Sequence, residues 1–139
     1  GLGATLTPGK ALTFCAYYGL NEGSDAKQEN IQNLATFVGL KLNGFSLGAE
    51  YNRIWNVKHV DGSDMNGFSI YSNIKLNKGA DLYLRFDDYN GDESGFIAGV
   101  QWKLGKYVKV SPNFRWNHAE VDGGNQDSYM GYISCYFGF

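Results

Sequence analysis

The sequence predicts an all-β fold, a single antiparallel up-and-down barrel of eight strands. Three observations predict it. Apolar and polar residues alternate with period two through eight segments, which places successive side chains on opposite faces of a strand. The connections between those segments alternate long and short. Gly (19 of 139 residues) and aromatics (16%) are abundant while Pro numbers only 2, a mixture that suits strands joined by tight turns.

The clearest segment is the last. Counting back in twos from Phe139 gives Phe137, Cys135, Ile133, Gly131 and Tyr129, an apolar or small set; the residues between them, Gly138, Tyr136, Ser134, Tyr132 and Met130, are more polar. The earlier segments follow the same rule. Residues 1–9 read as a lead-in without clear periodicity. Strand 1 covers about 10–21, with Leu12, Phe14, Ala16, Tyr18 and Leu20 on one face; a long loop follows over 22–32. Strand 2, about 33–42, sets Leu34, Thr36, Val38, Leu40 and Leu42 against Asn33, Ala35, Phe37, Gly39 and Lys41, and ends at Asn43-Gly44, a strong hairpin signal. Strand 3, about 45–56, carries Phe45, Leu47, Ala49, Tyr51 and Trp55 on the apolar side; Arg53 falls on that side near the loop, where it snorkels or is re-aimed by a bulge. A polar loop spans 57–65. Strands 4 (about 66–76), 5 (80–88), 6 (95–104) and 7 (107–117) continue the pattern, with a medium loop at 89–94, tight turns at Asn77-Lys78-Gly79 and Gly105-Lys106, and a final loop over 118–127. Pro112 removes a ladder hydrogen bond from an interior strand, so a bulge is expected there.

The chain has 43% hydrophobic residues and no apolar run long enough for a transmembrane helix. Alternating strands cross a bilayer without raising average hydropathy, so membrane insertion stays open. Aromatics gather where two interfacial belts belong: Tyr18, Trp55, Phe68, Phe86 and Trp116 near the long loops, Phe45, Trp102, Phe137 and Phe139 near the short turns. Each strand has about the 9–11 residues needed to cross when tilted, and a closed barrel satisfies every backbone group that lipid leaves unpaired. The soluble alternative, a lipocalin-like or fatty-acid-carrier barrel, turns its apolar face inward; the polar face here, with Glu50, Lys75, Arg85, Asp87, Lys103, Lys109 and Arg115, is a poor lining for a lipid ligand.

A C-terminal Phe on an alternating strand is similar to the closing-strand signature of bacterial outer-membrane β-barrels, and the whole layout resembles the small eight-stranded OmpA/OmpX-like barrels. Segments such as Gly48-Ala49-Glu50-Tyr51 and Val110-Ser111-Pro112-Asn113-Phe114 also resemble porin strands. The resemblance implies a transmembrane barrel able to act as a monomer, in the outer membrane of a Gram-negative bacterium, with both chain ends at the periplasmic, short-turn side. It implies contact with outer-membrane lipid and lipopolysaccharide, recognition of the last strand by the barrel-insertion machinery, and a protein partner in an envelope assembly. Any secretory signal is expected to have been removed or left out, since no Lys/Arg-led apolar segment begins the chain.

Eight strands enclose only enough width for side chains to fill. Glu50 and Arg85 sit near mid-height, and buried charges must pair, so a Glu50–Arg85 polar plug is expected, completed by Lys75, Asp87, Lys103, Lys109 and Arg115. The function expected on that basis is structural: anchoring, or display of surface loops. The alternatives are a narrow channel or part of a larger porin passing small solutes, and a loop-based outer-membrane enzyme. Eleven of fourteen acids lie in or beside long loops (Glu22, Asp25, Glu29, Asp61, Asp64, Asp88, Asp92, Glu93, Glu120, Asp122 and Asp127), and seven of twelve cations lie by the short turns (Lys10, Lys41, Lys75, Lys78, Lys103, Lys106 and Lys109). The result is an axial dipole: solvated loops and turn lysines, or a weak outer cation site and a cationic periplasmic mouth.

Chemistry is sparse. His59 with Asp61 and Ser63, and His118 with Asp122, Asp127 and Ser128, contain the groups of a hydrolytic triad without a spacing that sets nucleophile against base. Asp88-Tyr89-Asn90-Gly91-Asp92 opens like a calcium loop but lacks the Gly and bidentate Glu that complete one. No enzyme activity, cofactor or metal is therefore expected. The two cysteines lie 120 residues apart, Cys15 in the polar-face set of its strand and Cys135 in the apolar-face set, and read as free thiols. A net charge of −2 offers no basic footprint for nucleic acid.

Overall fold

The computed structural model describes residues 1–24, 28–121 and 124–138. They form one antiparallel sheet of nine strands in sequence order: β1 Leu2–Leu6, β2 Leu12–Asn21, β3 Ile31–Leu42, β4 Phe45–Trp55, β5 Met65–Lys75, β6 Ala80–Tyr89, β7 Glu93–Lys103, β8 Val108–Val121 and β9 Gly124–Phe137. The up-and-down meander is as expected. The strand count and the closure are not: there are nine strands, and no ladder joins β1 to β9 among the described residues, so the sheet is open.

The additional strand is β1, in the segment expected to be an aperiodic lead-in. Leu2, Ala4 and Leu6 face Tyr18, Ala16 and Phe14, and Gly3 and Thr5 face Tyr17 and Cys15, so the alternation of β2 is repeated across the ladder. The chain turns between them at residues 9–11, with Gly9 at φ +74°. Because β1 runs opposite to β2, residue 1 stands at the long-loop end and Phe137 at the short-turn end. Residue 1 and Phe137 therefore do not share the short-turn side.

Loop lengths also differ from expectation. The short-turn end has connections 7–11, 43–44, 76–79 and 104–107; the other end has 22–30, 56–64, 90–92 and 122–123. Two of the four expected long loops are thus consumed by strand. At 90–92, Asn90 (φ 55°) and Gly91 (φ 80°) are the central pair of a turn closed by Asp92 N–H to Tyr89 C=O at 3.0 Å. Positive φ at both centres is the type I′ geometry that matches strand twist. Over 118–121 and 124–127, β8 and β9 keep pairing: Asp127 accepts from Trp116 Nε1 at 3.1 Å and from His118 Nδ1 at 2.9 Å across the ladder.

Register is continuous at Pro112. Gly99 pairs with Asn113 and Trp102 with Val110, so the pairing lapses over two positions and resumes without an inserted residue (99 + 113 = 102 + 110). The missing N–H opens a gap toward β7 but leaves the β9 side, Pro112 opposite Ile133, intact, and the expected bulge is absent. Arg53 likewise needs no bulge. It lies over Trp55 at 5.1 Å and reaches Asp64 at 3.2 Å in the neighbouring loop.

The sheet is a single layer, and among the described residues Ala80 (2% exposed) is the one buried hydrophobic side chain. The apolar face is covered by nothing among the described residues: Leu47 is 41% and Ile133 75% exposed. A carrier with an apolar interior would bury both. The polar face is the more enclosed one, with Ser69, Ser111 and Asn113 buried on it. No helix among the described residues is long and apolar enough to cross a membrane, which bears on helices only.

Candidate functional site: the polar face of the sheet

Strand pairing decides which side chains share this face, because directly opposed residues point the same way. Three cross-strand rows matter. In the first, Phe37, Glu50, Ser69 and Asp87 are aligned from β3 to β6. In the second, Tyr71, Arg85, Ile97, Arg115 and Met130 run from β5 to β9. In the third, near the short turns, Lys103, Lys109 and Tyr136 are opposed. Lys75 faces Asp81 on the same side. All seven charged residues singled out from the sequence thus occupy one face, but they do not form one network.

Arg85 pairs with Asp87, two residues along its own strand: Nε lies 2.9 and 2.8 Å from the two carboxylate oxygens. Ser69 Oγ donates to the same carboxylate at 2.5 Å. Glu50 instead accepts from Asn52 Nδ2 at 2.7 Å. The expected Glu50–Arg85 pair is therefore replaced by two local contacts, since same-face neighbours on one strand are nearer than residues two strands apart. Between Glu50 and Arg85 lies a hollow of about 300 Å³ bordered by Ser46, Tyr71, Asn73 and Tyr83. A plug would need the lumen of a closed eight-stranded barrel, which this open sheet does not enclose.

A second cluster, missed in the sequence, joins β6, β8 and β9. Tyr83 Oη lies 3.0 Å from Ser111 Oγ. Asn113 Nδ2 donates to Ser111 C=O at 3.2 Å and to Ser134 Oγ at 3.4 Å, while its Oδ1 accepts from Arg115 Nε at 3.3 Å. Ser111 and Asn113 are each 8% exposed, so these bonds satisfy groups that burial would otherwise leave costly. Nothing in a Ser-Pro-Asn stretch marks it as buried; the strand phase alone places it on this face.

Aromatic rings line the same surface with cations over them: Arg85 above Tyr71 (5.9 Å), Arg115 above Tyr132 (4.9 Å) and Lys109 above Tyr136 (5.6 Å). The aromatics assigned to interfacial belts, Tyr18, Phe45, Trp55, Phe68, Phe86, Trp102, Trp116 and Phe137, all lie in the phase of the other face. Phe139 lies outside the described residues.

The two candidate triads come apart. His59 Nδ1 donates to the Glu29 carbonyl at 2.7 Å, and Glu29 N–H to the His59 carbonyl at 3.2 Å, so the histidine stitches loop 56–64 to loop 22–30. His118 does meet Asp127, but Ser128 points to the opposite face, where Asn117 Nδ2 donates to it at 3.5 Å. Asp122 lies outside the described residues. In the calcium-like stretch, Asp88 Oδ1 accepts from Gly91 N–H at 3.3 Å and Asn90 Oδ1 from Asn66 N–H at 2.7 Å, so both oxygens hold the turn. Among the described residues no three His, Cys, Asp or Glu side chains gather as metal ligands. Cys15 and Cys135 are both free thiols, one on each face.

No protein-family model matches the chain, and a search of characterised proteins finds no significant relative.

Proposed function

We propose that these nine strands are part of the wall of a water-filled outer-membrane β-barrel in a Gram-negative bacterium, through which small solutes pass. The observation that carries this reading is the pair of free edges. Eight successive antiparallel steps make β1 and β9 run in the same direction. Antiparallel closure between two such edges takes an odd number of further strands, for an even total. At about sixteen to eighteen strands a barrel holds an aqueous channel, whereas eight are filled by side chains. Free edges are also strong templates for pairing: all fourteen residues of β9 are exposed, a liability unless another strand covers them.

The faces support the same reading. The uncovered apolar face matches hydrocarbon, and the polar face, with exposed Arg85, Tyr132 and Tyr136, suits water. The aromatic rows at both ends of the apolar face suit the two lipid–water interfaces.

The test is the protein extracted from outer membranes in detergent, shown to be folded by heat-modifiable migration on a gel, and reconstituted into planar bilayers. The expected result is stable stepwise conductance. A heat-modifiable protein that never conducts would leave an anchoring barrel as the better account. A protein recovered in carbonate-soluble fractions would overturn membrane insertion altogether.

A further inference from the structure

Resting on the pore reading, we propose that the polar face of β8 and β9 is an oxyanion-binding lane centred on Arg115, which makes the channel favour small solutes bearing a carboxylate or phosphate group. The two arginines of one cross-strand row are treated differently by the fold. Arg85 is neutralised by Asp87, both of whose oxygens lie against its Nε. Arg115, two strands away, has no carboxylate within ion-pair distance among the described residues.

Arg115 is nonetheless held. The Tyr132 ring lies against its guanidinium at 4.9 Å, and Nε is tied to Asn113 Oδ1 at 3.3 Å. Asn113 cannot turn away, because it is buried and its amide is committed to the Ser111 carbonyl and Ser134 Oγ. With Nε committed, the two terminal NH2 groups of this exposed guanidinium have no hydrogen-bond partner among the described residues. Its planar fork matches carboxylate and phosphate oxygens in pairs and a spherical ion less well.

The surrounding charge agrees. Along β8 and β9 the polar-face positions include Lys109 and Arg115 and no acid; Glu120 and Asp127, the described acids of these strands, belong to the other face. Lower on the lane, Lys103 stands directly opposite Lys109. Like charges so placed repel, and an anion passing between them relieves the repulsion. By contrast the β6 portion of the wall carries Asp81 and Asp87 around Arg85. Anions are therefore drawn to one side of the lumen.

The experiment is reversal potential in a potassium chloride gradient across bilayers holding the full protein, followed by titration with sodium phosphate and, separately, sodium acetate. The expected wild-type result is anion preference, with chloride current falling as either oxyanion is added. Which acts at lower concentration tells phosphate from carboxylate. Arg115→Gln should cut the anion-to-cation permeability ratio several-fold and abolish the block, while Lys58→Gln, in the 56–64 loop, changes neither. Arg115→Lys should keep anion preference and lose most of the block, and it serves if the Gln variant does not fold. Conductance with no anion preference, or with Arg115→Gln indistinguishable from wild type, would overturn the lane and leave the pore standing. No conductance at all would remove both.

Discussion

Tyr71 lies across Gly48 on the facing strand, so close that a Cβ on Gly48 would stand 2.5 Å from ring Cε2 and 2.7 Å from Cζ. Phe37 stacks beside the ring at 6.2 Å with planes 9° apart, so a Tyr71 pushed off Gly48 disturbs that pair. Gly48→Ala should therefore act as overpacking and destabilise the fold by about 1–3 kcal/mol. Urea unfolding of the refolded protein, followed by tryptophan fluorescence, checks it. An unchanged midpoint would mean that Tyr71 adopts another rotamer without loss.

Asp87→Asn removes the partner of Arg85 and weakens the acceptor of Ser69. Arg85 is 45% exposed at its side chain, so water replaces much of what is lost and the expected cost is about 1 kcal/mol. The double variant Arg85→Gln with Asp87→Asn should cost less than the sum of the single changes, which a double-mutant cycle in urea measures. Strict additivity would show that the two side chains do not stabilise one another.

The cysteines report which face meets water. Cys15 lies on the polar face, beside Thr5, whose hydroxyl donates to Sγ at 3.4 Å; Cys135 lies on the apolar face opposite Val110. In intact membranes a charged, water-soluble thiol reagent should modify Cys15 and spare Cys135, and in urea it should modify both. Fast labelling of Cys135 alone in the membrane would reverse the assignment of the faces.

Val100 stands opposite Leu82 on the apolar face of β7. If that face meets hydrocarbon, as proposed, Val100→Arg should destabilise the inserted protein by about 2–4 kcal/mol, the cost of a cation at mid-bilayer on a lipid-facing strand. Folding into vesicles, scored by heat-modifiable migration, reads the loss. Normal insertion would place that position away from hydrocarbon.

Much of the strand layout was legible locally. The Asn43-Gly44 turn and the phases of eight strands follow from residues a few positions apart. Two further signals of the same kind are present in the sequence. Asn90-Gly91 makes a two-centre tight turn of the same kind as Asn43-Gly44, inside the segment expected to be a loop over 89–94. Leu2, Ala4 and Leu6 alternate with Gly3 and Thr5, yet the small residues between give so little contrast that the segment read as a lead-in. The extension of β8 through 118–121 and of β9 back to 124 has weaker local cues, since polar residues occupy both faces there and the Trp116, His118 and Asp127 contacts form only across the ladder. The polar cluster was legible as a set of residues sharing a face, and its pairings were not.

The amino-acid order alone determined which side chains share a face, because alternation needs only the two-residue repeat of an extended chain. Tertiary structure decided how many strands assemble, whether the sheet closes, and whether Arg85 meets Glu50 or Asp87. Those outcomes depend on register and curvature summed over the whole sheet, and on which partner is a few ångströms nearer once neighbouring strands are in place. Hydropathy period carries none of that distance information.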